Sequence, residues 1–446
     1  MNNRRWFTIL LASIMMIGLL SACSGDKNKN GGNSGGASSS APSGAGASKA
    51  ADPIKLTMWG GVPPESGPQA VVDAWNAAHP DVQVEYVRFV NDDDGNLKLD
   101  TAMLTDQGVD IYVNYTLSQT EKRVEAGVAL DLSELGDYNI DEKMGPDAAL
   151  WKINDKYYGV PTKKNAFFVA LNKDMLDAAG LAVPKSWTWD EARQYAKQLK
   201  ADGRYGFIQH LEPFYDPMDS VLVKEGYTKA DGSSNLDHPL IRKWLETLNG
   251  MMKEDQSTPP LGEQMSTQLP VDTSFLSGQA AMLNIGEWLI RSSNNMTDFP
   301  RDFKIAFAPV PRLADNEADY ITRGGLGDFV SVNAKSKHKN EAWEFVKWYA
   351  DGGMAPMAAG GRLPASKDVD KQVAMDSLLG DKADTYDLAS LEYVLYGDTT
   401  PTYVRGVPQQ VIDLRTQEYE KYFLGSQNID KTIGNMVSRH NDFLKQ

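Results

Sequence analysis

A chain of 446 residues exceeds what one hydrophobic core organises, so more than one globular unit is expected. Its formal net charge of −15 and its lack of a basic stripe argue against binding nucleic acid, whose phosphates need clustered Lys and Arg. A single cysteine excludes an internal disulfide and a cysteine-rich zinc site.

In chain order, Arg4 and Arg5 precede an apolar run from Trp6 to Leu20, and small Ser21 and Ala22 follow. The run has signal-peptide length and is shorter than the roughly 20 residues a spanning helix needs. The lone cysteine comes next. Ending Leu20-Ser21-Ala22-Cys23, the segment resembles a bacterial lipoprotein signal, which implies cleavage before Cys23 and a diacylglycerol on that residue. From Ser24 to Asp52 the chain is Gly, Ser, Ala, Asn and Lys with nothing large to bury, so it cannot offset the entropy of folding. A flexible tether of that length reaches about 30 Å. Residues 1–22 are therefore expected to be the signal, and 23–52 the anchored cysteine and its linker.

From Pro53 onward short strands alternate with amphipathic helices. Ile54 to Trp59 has period-two apolar character, Gln69 to Ala78 puts Val72, Trp75 and Ala78 on one helical face, and Val82 to Val87 reads as a strand. Strand, helix, strand within about 35 residues is a βαβ unit and predicts a parallel sheet. Val109 to Val113 is a third strand, preceded by the amphipathic Leu97 to Leu104; the acidic run Asn91 to Gly95 before it reads as a solvated turn, since it lacks calcium-loop spacing. Beyond a loop-rich stretch around 136–155, Ala166 to Leu171 is apolar throughout, as in a strand buried on both faces. A helix follows over Trp189 to Lys200, with Asp190 and Glu191 in its first turn. Ala280 to Ile285, Lys304 to Ala308 and Phe329 to Asn333 read as strands, and Glu341 to Ala350 as a helix burying Trp343 and Val346. The fold class is α/β, and the length argues for two lobes.

No catalytic constellation accompanies this pattern. The five histidines are scattered, with no HExxH, CxxC, GxSxG or phosphate loop, and Gly324-Gly325-Leu326-Gly327 precedes a strand instead of a helix. No metal or cofactor is expected. Aromatic residues do gather at strand ends and in loops: Trp59, Tyr112, Tyr115, Trp288 and Phe214-Tyr215. A flat ring stacks on the apolar face of a sugar while amides and carboxylates take its hydroxyls. On pattern alone Trp59 and Trp288 fit core and ligand contact equally, whereas loop position favours a site for Tyr115 and Phe214.

From Ile54 to the C-terminus the motifs fall in an ordered series. Lys55 to Trp59, Gly108-Val109-Asp110-Ile111, Glu125 to Leu132, Tyr158-Gly159-Val160-Pro161 and Leu171-Asn172-Lys173-Asp174 come first. Pro184, Trp187 to Glu191, Phe275 to Met282 and Gly324-Gly325 follow. In that order they resemble the extracellular solute-binding proteins of ABC importers, closest to the carbohydrate-binding group that includes the maltose-binding protein. Two departures stand out: Leu171 replaces the family's Tyr, and Asn114-Tyr115-Thr116 lacks the Trp and acid of maltodextrin binders.

The resemblance implies a two-lobed periplasmic-binding-protein fold, type II-like, with hinge-crossing segments and an interlobe cleft. Lobe 1 is expected over 53–162 plus 311–361, and lobe 2 over 163–310 plus 362–446. It implies ligand contacts at Trp59, Gly60, Asn114, Tyr115, Lys163 and Asn165. Further contacts are implied at Glu212, Phe214, Glu287, Trp288, Gly324, Gly325 and, by a looser alignment, Arg405. The implied function is a lipid-anchored receptor on the extracellular face of the cell membrane that captures a carbohydrate, an oligosaccharide by expectation, and delivers it to ABC permease subunits as a monomer. It is expected not to be an enzyme and to meet the membrane only through its N-terminal lipid. Two alternatives stay open here. One is a charged solute such as a glycerol phosphate or peptide, for which Arg323, Arg362 and Arg405 are available. The other is a secreted carbohydrate-active enzyme, which would need two carboxylates across a cleft.

Overall fold

The computed structural model describes residues 52–446 except 137, 211–216, 314–315, 317–319, 404–407 and 446. The predicted signal, Cys23 and nearly all of the tether lie outside the described residues. The described part is one compact unit built on a six-stranded and a four-stranded sheet, with a small two-stranded sheet beside them.

Strand β1 (Ile54–Gly60) buries Leu56 and Met58 on one face and pairs in parallel with β2 (Val82–Arg88), from Ile54↔Val82 to Gly60↔Arg88. Between them the helix Pro68–Ala78 buries Val71, Val72 and Trp75, and its indole donates to the Val82 carbonyl at 2.9 Å. Strand β3 (Ile111–Asn114) is parallel to β1, so the predicted βαβ unit and its third strand are present. The acidic run differs from expectation. Asp92 caps the helix Asp93–Leu104 by accepting the Gly95 N–H at 2.8 Å, so these carboxylates open a helix instead of forming a free turn. A Cβ at Gly95 would lie 1.8 Å from the Val90 carbonyl oxygen, so the cap turn leaves room only for glycine.

Strand β4 (Val160–Asn165) runs beside these, and the chain then crosses at Ala166 into β5 (Phe167–Asn172) of a second sheet. That sheet adds β6 (Ile208–Gln209), β7 (Met282–Gly286) and β8 (Ile305–Pro309) in the order β6-β7-β5-β8. The chain returns through β9 (Thr322–Arg323) to β10 (Gly325–Val332), which inserts between β3 and β4, and β11 (Leu363–Pro364) closes the first sheet as β11-β4-β10-β3-β1-β2. A last strand, β12 (Thr402–Tyr403), pairs with β9.

The apolar run of β5 is buried on both faces, as read, but it pairs antiparallel with both β7 and β8, and β10 is antiparallel to β3 and β4. The parallel expectation therefore holds only around β1, β2 and β3. Alternate residues of β5 serve two cores: Val169 and Leu171 pack with Trp187, Trp189 and Trp244, whereas Phe168 and Ala170 pack with Phe275, Phe307 and Tyr386. The helix Trp189–Leu199 starts from a capping box in which Thr188 and Glu191 satisfy each other's backbone N–H.

These senses fix where a site can lie. In the first sheet β1, β2, β3 and β4 run the same way and end toward the crossing at Ala166. In the second, β5 starts at the crossing, so antiparallel β7 and β8, with β6 beside them, end there. The carboxyl ends of seven strands thus converge where the chain passes between sheets, the crevice in which open α/β sheets hold ligands.

Candidate functional site

At the crossing, Lys163 and Glu287 form an ion pair between the two sheets, with side chains only 8% and 1% exposed. The Lys163 ammonium also donates to Asn165 Oδ1 at 2.7 Å, and the second Glu287 oxygen accepts the Ala166 N–H at 3.1 Å. Asn165 lies over Gly327, where a Cβ would come within 2.4 Å of its amide nitrogen. Lys163, Asn165 and Glu287 are thus brought together, bonded chiefly to one another.

At the end of β1, Trp59 is half-buried against the cluster of Phe89, Met103 and Tyr112. Gly60 is buried under Tyr86, whose hydroxyl would stand 2.6 Å from a Cβ there. The next N–H, that of Gly61, donates to the Tyr115 hydroxyl at 2.6 Å, tying the ends of β1 and β3. Asn114 is fully buried: its amide donates to the Phe329 carbonyl and Ser331 Oγ at 3.2 and 2.9 Å, and its oxygen accepts from Arg123 at 2.6 Å. The structure places it inside the sheet.

On the second sheet Trp288 is half-buried, edge-on to Phe167 at 5.6 Å and tilted against His210 at 6.5 Å. Its ring occupies the space a Gly286 side chain would need, and Gly361 packs against its backbone. Gly324 and Gly325 have φ of +152° and +77°, conformations that make the turn from β9 into β10 a place for glycine. Glu212, Phe214 and Arg405 lie outside the described residues.

Arg362, read from the sequence only as an available cation for a charged solute, and Asp328, not singled out there, complete the crossing. Arg362 donates through Nε to Asp328 at 2.9 Å, with side chains 18% and 7% exposed. Burial alone would lower the guanidinium pKa, but the charges of Asp328, Glu287 and the neighbouring tyrosines hold it above its usual value. Asp328 sits in β10 with φ of +45°, an uncommon left-handed residue within a strand. Its only trace in the sequence is a carboxylate amid the glycine and apolar residues of that strand.

Beside the crossing lies a cavity of about 420 Å³. Of the predicted contacts among the described residues, Asn165, Gly324 and Gly325 line it, as does Arg323; Trp59 and Trp288 do not. Among the described residues no group of three His, Cys, Asp or Glu could hold a metal, and no helix is long and apolar enough to cross a membrane.

Residues 60–352 match the sequence profile of the bacterial extracellular solute-binding proteins. A lipoprotein of Streptomyces antibioticus, itself uncharacterized, is 24% identical over 381 residues, covering 80% of this chain and 79% of that one. A maltotriose-binding protein of Pyrococcus abyssi is 24% identical over 306 residues, 66% of this chain and 62% of that one. An ABC substrate-binding protein of Listeria monocytogenes, solved in complex with cycloalternan, aligns with a TM-score of 0.66 at 21% identity. It covers 88% of this chain and 100% of that structure, and the shared architecture is the two-lobed periplasmic-binding-protein fold.

Proposed function

The chain belongs to the bacterial extracellular solute-binding protein family, and from that premise we propose that it is the capture receptor of an ABC sugar importer. The ligand is an oligosaccharide, held in the crevice between the two sheets. The observation that carries this reading is the convergence of strand carboxyl ends on one crossing, with half-buried Trp59 and Tyr115 on one sheet and Trp288 on the other. Rings so placed stack on sugar faces, and Arg362, Glu287, Lys163 and Asn165 supply polar groups between them. The maltotriose binder among its relatives supports the ligand class.

Closure follows from the same arrangement. A ligand that touches both sheets makes all its contacts only when the lobes approach, so binding stabilises the closed form, which the permease then reads. We assign residues 53–162 and 311–361 to one lobe and 163–310 and 362–446 to the other, with the bounds drawn a few residues later where β4 runs on to Asn165 and β11 (Leu363–Pro364) still belongs to the first sheet. Glu212, Phe214, Gly324, Gly325 and Arg405 complete the cleft in this reading, whereas Asn114 acts through the strand it fastens. The protein binds and releases its ligand unchanged and works as a monomer on the outer face of the membrane. Its anchor is a lipid on Cys23, a reading that the lipoprotein among its relatives supports.

Calorimetric titration against maltodextrins, raffinose-type and xylan-derived oligosaccharides tests the ligand class, with amino acids, a dipeptide and glycerol phosphate as controls. Saturable binding of an oligosaccharide is the expected result. Binding confined to the controls would overturn the carbohydrate assignment.

A further inference from the structure

The cavity beside the crossing has a charge character of its own. Lys164, Lys367 and Lys371 line it, with Tyr396, Asp147 and Asp398. The Lys164 and Lys371 ammonium groups lie 5.1 and 5.2 Å from the centre of the same Tyr396 ring. Among the described residues none of these three lysines is ion-paired, and burial together with the charge of Lys371 pushes the Lys164 ammonium below its usual pKa. The two carboxylates are engaged by hydroxyls instead. Asp147 accepts from Thr402 Oγ1 at 3.2 Å, and Asp398 from the Thr400 N–H and hydroxyl at 2.9 and 2.7 Å. Among the described residues three unpaired lysines thus face two carboxylates, in a chain whose net charge is −15.

We infer that this cavity is a binding site for a tetrahedral oxyanion, either free phosphate or sulfate or the phosphate group of an organic ester. Lysine ammonium groups are compact point charges suited to phosphate oxygens, and an anion between Lys164 and Lys371 relieves the repulsion that burial strengthens. Lys164 belongs to β4 of the first sheet. Lys371 and Tyr396 belong to segments whose neighbours Ala374 and Leu395 pack in the core of the second. A bound oxyanion therefore links the two. The site shares Asn165, Gly324 and Gly325 with the proposed sugar crevice, but neither Trp59 nor Trp288 lines it.

The test is titration of the full chain, in sugar-free buffer at ionic strength fixed with chloride, with inorganic phosphate, sulfate and glucose 6-phosphate in turn. Saturable binding is expected, weakened at least tenfold in the double variant Lys367→Ala/Lys371→Ala, whose circular dichroism should match the parent. Lys164 is left intact because it lies within a strand. Binding by the ester alone, lost in the same variant, identifies an organic phosphate as the ligand. No saturable binding by any of the three, or equal binding by parent and variant, overturns the proposal.

Discussion

Replacing Glu287 with Gln removes one charge from the Lys163–Glu287 pair while keeping a side-chain oxygen for the Ala166 N–H. With the two side chains 8% and 1% exposed, Lys163 is left as a buried cation with no counterion. Breaking such a pair from one side costs about 3–5 kcal/mol, because the remaining charge still bears its desolvation. For roughly 390 folded residues at about 2 cal/mol/K each, the unfolding entropy is near 0.8 kcal/mol/K, so the melting temperature should fall by about 4–6 °C. Lys163→Met should cost a similar amount. The double variant Lys163→Met/Glu287→Gln should melt above the sum of the single losses, with a coupling of about 1–3 kcal/mol. Scanning calorimetry at neutral pH reads all four proteins. A Glu287→Gln melting temperature within 1 °C of the parent, or strictly additive losses, would refute the claim that these charges depend on one another.

Trp288→Ala should weaken oligosaccharide binding by about 2 kcal/mol, roughly 30-fold in Kd, with Trp288→Phe retaining most of the affinity; an unchanged Kd in the alanine variant would remove Trp288 from the site. Burial alone would raise the Glu418 carboxyl, but hydrogen bonds from Lys421, Asn435, Gln427 and Arg439 outweigh it and hold the pKa at about 2. A depressed folded-state pKa gives stability that is present above pH 4.5 and lost as pH falls toward 2, so Glu418→Gln should flatten that loss by up to about 3 kcal/mol in acid denaturation. An equally steep acid profile in the variant would contradict this. Cys23→Ala should release the protein from membranes in cell fractionation while leaving sugar affinity in titration unchanged; retention in the membrane fraction would count against the lipid anchor.

Strand and helix positions were legible where period and length agreed. Leu56 and Met58 alternate as a half-buried strand must, and Val72 with Trp75 marks one helical face. The sense of β5 was not legible, because a strand buried on both faces carries the same apolar run whether its neighbours are parallel or antiparallel. The acidic run was misjudged because its role rests on Gly95 fitting beneath the Val90 carbonyl, a contact that composition does not express. Asn114 was a ligand contact implied by the family resemblance, yet its partners Phe329, Ser331 and Arg123 come from elsewhere in the chain and absorb both ends of its amide. The pairing of Arg362 with Asp328 was hidden for the same reason. Neither residue carries a local sign of the other.

That pairing bears on what the crevice admits. Lys163 is neutralised by Glu287 and Arg362 by Asp328, so these two buried cations at the crossing find their counterions within the protein. A solute with net charge would have to displace one of these partners, leaving a buried ion uncompensated at a cost of several kcal/mol. A neutral polyol meets no such penalty. It takes hydrogen bonds from guanidinium and amide groups already held in place, and its apolar faces lie on the rings at the strand ends. The unpaired lysines around Tyr396 present the opposite balance, so one fold carries a crevice suited to an uncharged ligand and, beside it, a cavity suited to an anion.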